Sequence, residues 1–342
     1  MRSPLALLVL SRIRESLRHP EAIFWTFVFP ALLAVALGIA FQGDRPDPAS
    51  VVVVASGESS PVAEALAADN ALRVDLLGRA EAEDRLRSGR AAIVVVPGTP
   101  LVYRFDPSRS DSRLARANVD AALQRAAGLR NPVPTADEPV REPGSRYIDF
   151  LIPGLLGMNI LGGGAWGIGW VIAEMRMKKL LKLQLATPMR RSTFLVSHVL
   201  ARLVYLPLEI VPLLGLAWLL FGVSTAGSYA TLAAAAVLGA FACSALGLLL
   251  ASRARTNETI MGLINLCTLP MFVLSGVFFS TSRFPEVLQP LIRALPLTAL
   301  IDALRAVMTE GTALAALWPQ FLVLGFWGAA SLVAALWIFR WS

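Results

Sequence analysis

The chain holds only three lysines, and all of them, Lys178, Lys179 and Lys182, stand in the stretch AEMRMKKLLKLQLATPMRRSTF from Ala173 to Phe194. Interleaved with Leu180, Leu181, Leu183 and Leu185, they form no catalytic centre. What such a stretch can do is bind. It can anchor to anionic lipid headgroups, or it can present leucines to a partner protein while the cations steer the encounter. From Met175 to Leu185 the spacing suits a helix of about three turns. Thr187-Pro188 then ends it, because a residue before proline is pushed out of the helical region. A second candidate is Glu209 with Arg202, seven residues apart in an apolar run that also contains Pro207 and Pro212. A carboxyl inside a membrane span can carry a proton; it can equally serve by hydrogen-bonding within the protein.

Catalytic carboxylate pairs in the 42–146 block remain formally possible, though no spacing singles one out, and several other chemistries are excluded. A phosphate-cradling G-x-x-x-x-G-K-[ST] loop needs glycine directly before lysine, and none of the three lysines has one. His19 and His198 are the only histidines, and Cys243 and Cys267 both fall in apolar runs, so neither a metal site nor a disulfide framework is expected. No cofactor is expected in this chain. The net charge of +7 is spread mostly over the ends of apolar runs, a membrane pattern that points to lipids and away from nucleic acid. Any uphill movement must draw on an ion gradient or on another chain.

The elements that position these residues follow from hydropathy. The chain is 56% hydrophobic and 16% charged, with mean hydropathy +0.61, against about 25% charged in soluble domains. Apolar runs of about 20 residues match the hydrocarbon core of a bilayer. The expected fold is an α-helical membrane protein with six transmembrane helices and an α/β extracytoplasmic domain between the first and second. The spans are placed at 22–41, 147–172, 194–221, 229–251, 259–280 and 317–340. Residues 1–21 read as an interfacial amphipathic helix, with Ile13 and Leu17 on one face and Arg12 and Arg14 largely elsewhere. They are too short in apolar content, and too quickly followed by arginine, for a cleavable signal. Residues 281–316 are amphipathic, punctuated by proline, and read as re-entrant or interfacial helices.

Between Gln42 and Arg146 the composition changes, to fourteen arginines, no lysine and fifteen acidic residues. Runs such as SVVVVAS, LRVDLL, AAIVVVP and LVYRFDP alternate with helical patterns, the signature of an α/β domain, and NPVPTADEPVREPGS reads as the linker back to the membrane. Basic residues in short loops set orientation. Those at the N-terminus, in the 173–193 loop, in the loop after span four and at Arg340 fall on one side if six spans alternate. That side is then the cytosol, with both termini in it. The glycines of the second span, with Gly162-Gly163-Gly164 at its centre, suit close helix packing; a flexible point is the sharper alternative, since each glycine costs about 1 kcal/mol in a helix interior.

The order of these parts carries a resemblance. An interfacial helix, a span, a large outer domain, a Gly-rich span beginning IDFLIPGLLGMNIL and a basic loop ending LQLATPMRRSTFLVSHVL resemble the ABC-2 family of ABC transporter permeases. MFVLSGVFFSTSRFPEVLQPLIRALPLTALIDALRAV is similar to that family's signature after the fifth span, and the outer domain resembles that of drug and lipid exporters. The chain departs from the family in one place: a Gly-Thr pair common ahead of the leucines is missing, and cations stand there instead. The resemblance implies a permease subunit of an exporter in the cell inner membrane, pairing as a homodimer and docking two ATP-binding cassette subunits that hold ATP and Mg. It implies that 175–188, including Thr187 and Pro188, is the coupling helix, and that Arg12, Ile13, Arg14 and Leu17 belong to an elbow helix. It also implies a substrate path lined by Asn159, Met261, Asn265 and Phe272. Ion-coupled transport through Glu209, or reception of a signal by the outer domain, are the alternatives.

Overall fold

The computed structural model describes residues 23–40, 48–56, 59–129, 146–185, 191–254 and 256–339. The chain divides into two compact units, one of residues 43–139 and one of residues 1–42 with 140–342.

The smaller unit is built on four strands, β1 (Ala49–Val54), β2 (Leu72–Leu77), β3 (Ile93–Val96) and β4 (Val102–Arg104), in the order β2-β1-β3-β4. β1 lies parallel to both β2 and β3, and β4 closes antiparallel on β3. Helices α2 (Ser59–Ala67), α3 (Arg79–Arg87) and α4 (Ser110–Ala126) cover it. The valine run of β1 needs no polar alternation because both faces are covered. Val51 and Val53 pack with Leu66 of α2 and Val119 of α4, while Val52 and Val54 pack with Ala82 of α3. The many arginines pair across the surface: Arg85 to Asp75 at 2.7 Å and Arg125 to Asp69 at 2.7 Å. Exposed pairs of this kind each contribute little, so the sheet's apolar faces hold the unit together.

The larger unit is helical. A π-helical turn, Phe24–Val28, leads into α1 (Phe29–Ala40). The long helices are α5 (Tyr147–Met177), α7 (Arg191–Phe221), α8 (Tyr229–Ala251), α9 (Asn257–Leu274) and α12 (Trp318–Ile338), with the short α6 (Leu180–Leu185) after α5 and α10 (Gln289–Ala294) and α11 (Pro296–Glu310) after α9. Among the described residues five helical stretches are long and apolar enough to cross a membrane: Tyr147–Met177, Val196–Phe221, Tyr229–Ala251, Asn257–Leu274 and Leu314–Ile338. The described part of the expected first span, Phe24–Ala40, is a shorter apolar helix. The expected fifth span reaches 280, but its helix stops at Leu274, where Ser275 caps it and Gly276 takes φ 78.

α5 is the hub. Its closest approach is to α8: a Cβ on Gly247 would stand 2.2 Å from the Gly164 carbonyl oxygen, and one on Gly164 would stand 2.6 Å from the Cys243 carbonyl carbon. Here the glycines serve packing, and the helix runs unbroken through 162–164. α11 is no surface helix: Leu297, Leu300, Ile301, Leu304 and Val307 are almost wholly buried in the same core as α5 and α8. The loop before α8 reaches α11 through backbone bonds, Ala226 N–H to Met308 O at 2.9 Å and Gly227 N–H to Val307 O at 3.0 Å.

Arginines finish the helices at opposite ends of this unit. Arg146 grips Asp149 with two N–H groups (2.8 and 3.0 Å) and donates a third to the Phe221 carbonyl at the end of α7, 2.8 Å away. Nearby, Arg305 lies over the Phe150 ring, 3.9 Å from its centroid, and donates to Gly276 O at 2.9 Å. At the far end Arg176 does the corresponding work for α8.

Candidate functional site at the lysine-bearing end

The lysine stretch does not form one helix. α5 continues through Met177, where Lys178 caps it with its N–H on the Glu174 carbonyl (2.9 Å) and its ammonium on the Glu174 carboxylate (2.7 Å). Lys179 then turns left-handed at φ 59, a conformation that costs a residue with Cβ about 1–2 kcal/mol. Its N–H bonds Arg176 O at 3.0 Å, the closing bond of a helix C-terminus that glycine usually supplies. The expected three-turn helix over 175–185 is therefore corrected to the last turn of α5, a two-residue bend, and α6.

The leucines of α6, at 180, 181, 183 and 185, spread over about 200° of its circumference and cannot share one face. Leu181 is 1% exposed and sits in a cluster with Ala173 and Met175 of α5, Phe194 of α7, Ala251 of α8, Ala254, Ile260 of α9 and Phe339. It is thus a core residue of this chain, which corrects its expected role as a contact for a partner. Leu180 is 38% and Leu183 65% exposed, and these two face outward. Lys178 and Lys179 are exposed beside them. Lys182 and Leu185 belong to α6 by backbone. The side chains of Lys182 and Leu185, the expected break at Thr187-Pro188 and the expected interfacial residues Arg12, Ile13, Arg14 and Leu17 lie outside the described residues.

Arg176 fastens this platform. Its guanidinium donates to Ala251 O and Ala254 O at 2.7 Å each and to Ser252 O at 2.9 Å, and stands 5.0 Å from the Phe339 ring centroid. The last carbonyls of a helix lack intrahelical donors, and a planar fork of donors carrying a positive charge suits them. Counting basic residues for topology finds this arginine but not its partners.

The charged pair of the third span is closed on itself. Arg202 Nη2 donates to Glu209 Oε2 at 2.6 Å, with the two side chains 6% and 3% exposed. The guanidinium rests on Gly163 of α5, where a Cβ would stand 2.1 Å from Nη2. The pair straddles Pro207, which has no N–H to offer the Leu203 carbonyl, and ties the interrupted helix α7 to α5.

The four residues expected to line a path do not share one role. Asn159 is 8% exposed and donates through Nδ2 to the Thr26 carbonyl at 3.0 Å. Thr26 stands in the π-helical turn, four residues before Pro30, which has no N–H to give that carbonyl in an α-helical pattern, and Asn159 supplies it a donor. This corrects its expected place on a path. Met261 is 42% exposed; Asn265 and Phe272 are half-buried on the same helix, Phe272 packed against the core.

The inner membrane transport permease YhhJ of Escherichia coli (strain K12) is 29% identical over 119 residues, 35% of this chain and 32% of that protein. The protein of the same name from Shigella flexneri matches over the same shares; the chain thus aligns with about a third of the length of these curated relatives. A family profile described as ABC-2 family transporter protein matches residues 20–337. With several apolar helices packed around α5 and the family profile running over nearly the whole sequence, the chain is a multi-pass membrane protein that belongs to the ABC-2 family of transporters.

Proposed function

We propose that this chain is the membrane-embedded permease subunit of an ATP-driven exporter, moving a hydrophobic or amphipathic molecule such as a drug, a lipid or a lipid-linked molecule out of the cytosol or inner leaflet. The chain supplies the path and no catalysis of its own. ATP and Mg are held by a separate ATP-binding cassette subunit, present in two copies on a homodimer of this chain in the inner membrane. The observation that carries the reading is α6: a short helix set on a buried platform by Leu181, with Leu180 and Leu183 facing out among Lys178 and Lys179. Apolar anchors ringed by cations fit a groove on a partner.

On this reading the lysine-bearing end faces the cytosol and both termini lie there, as basic residues in short loops favour. Six spans follow if α1 crosses together with residues beyond its described part. The α/β unit then stands outside, and α11 closes the outer end. Exposed Met261 and half-buried Asn265 and Phe272, all on α9, remain the candidate path surface. Glu209 is engaged by Arg202, which supports ATP-driven over proton-driven transport.

The test is co-expression with candidate ATP-binding cassette subunits, followed by purification and reconstitution. The reading expects a stable complex whose ATP hydrolysis needs both subunits, and ATP-dependent movement of a fluorescent lipid or dye between leaflets or into vesicles. A chain that purifies alone and transports under a proton gradient without any ATPase contradicts it.

A further inference from the structure

We propose that Arg176 is the positioning residue that makes α6 and the α8–α9 turn move as one body, so that a displacement delivered at α6 reaches α9. The inference rests on the coupling reading of α6 given above. Arg176 lies in the last turn of α5, four residues before α6 begins at Leu180. From there its fork reaches three carbonyls of one turn: Ala251, the last residue of α8, then Ser252 and Ala254. Thr256, two positions on in the sequence, is the N-cap of α9 and accepts from the Thr259 N–H. Leu181 belongs to the same buried apolar cluster as Ala251, Ala254 and Ile260. The α8–α9 turn is thus held to the α5–α6 junction by a polar tie and an apolar one.

The two ties differ in what they transmit. Apolar contacts slide at little cost, whereas three charge-assisted hydrogen bonds from a rigid planar group fix direction as well as distance. A lysine at 176 keeps the charge and the topology signal but has a single compact head and no fork. Arg176→Lys therefore separates holding from anchoring.

Hydrogen exchange of the full chain in complex with its ATP-binding subunit tests this, comparing nucleotide-free with ATP-vanadate-trapped protein. In the unaltered complex, trapping should change exchange in segments 178–185 and 251–257 together. In Arg176→Lys the change should persist in 178–185 and be lost from 251–257. Without nucleotide, Arg176→Met should raise exchange across 251–257 by at least about tenfold, the scale of losing even one of its three charged hydrogen bonds. If 251–257 still responds to trapping in Arg176→Lys as it does unaltered, the proposal is overturned. A purely structural role would lower thermal stability and leave that response intact. If trapping alters neither segment in the unaltered complex, the ATP-driven reading is what fails. The nucleotide-free comparison then decides Arg176 by itself, unchanged exchange in Arg176→Met, or in Arg176→Lys should the Met variant not fold, counting against it.

Discussion

Gly247→Ala places one methyl group where α8 crosses α5, and its cost can be worked from the contact. The new Cβ would lie 2.2 Å from the Gly164 carbonyl oxygen, whereas ordinary van der Waals contact begins at 3.4 Å. The obstacle is backbone, so no side chain can swing aside, and the two helices must part by about 1.2 Å. A radial gap of 0.5–1 Å already forfeits about a quarter to a half of a contact's dispersion energy, and this seam runs along much of both helices. Overpacking of this kind costs about 1–3 kcal/mol. Gly162 and Gly167, on the same helix α5, have nothing within 4 Å of an added Cβ. There alanine relieves a helix interior of up to about 1 kcal/mol of glycine's conformational cost. The assay is the apparent melting temperature of each variant in one detergent, read as loss of the monodisperse peak after heating. Gly247→Ala should fall by several degrees, and Gly162→Ala and Gly167→Ala should hold or rise. If Gly162→Ala destabilises as much as Gly247→Ala, the packing account of these glycines is refuted and flexibility takes its place.

Other outcomes follow from the same geometry. Lys179→Gly should stabilise the α5–α6 junction by about 1 kcal/mol, because glycine adopts the left-handed bend without strain; slower amide exchange at 178–181 would register it, and faster exchange would contradict it. Leu181→Ala should cost about 2–5 kcal/mol as a buried leucine lost from a packed cluster, whereas Leu183→Asp, at an exposed position, should leave the melting temperature nearly unchanged. In the α/β unit the Asp69 carboxyl is held below its usual range, first by the Ala71 N–H and then by Arg125. A depressed carboxyl stabilises the fold at every pH above its unfolded value and loses that contribution as pH falls through the folded one. Acid titration should therefore loosen the α2–β2 turn in the unaltered protein, and Asp69→Asn should remove that step; an identical acid profile in the variant would rule the linkage out.

Much of this architecture is readable from the residues. The valine runs of β1 and β3 mark strands covered on both faces. Long apolar runs locate α8 and α12 closely, because a hydrocarbon core imposes length on a helix. What periodicity misses is partnership. KKLLKLQL reads as one amphipathic helix until Lys179 turns left-handed, since a lysine gives no local sign of a bend that glycine usually marks. Nothing in the spacing separates Leu181 from Leu183, because the choice is made by Phe194, Ile260 and Phe339, far away in sequence. Asn159 and Arg176 look like path and surface residues for the same reason. One donates to the Thr26 carbonyl ahead of Pro30 and the other to carbonyls at the end of α8 and in the turn after it, so both partners are set by other segments.

The central claim, that α6 is where an ATP-binding subunit engages this chain, is tested most directly by site-specific photocrosslinking. A benzophenone side chain at Leu183 should form an adduct with the co-expressed ATP-binding cassette subunit, and one at Leu322, exposed on α12, should form none. An adduct absent from 183, or equally strong from 322, would contradict the account.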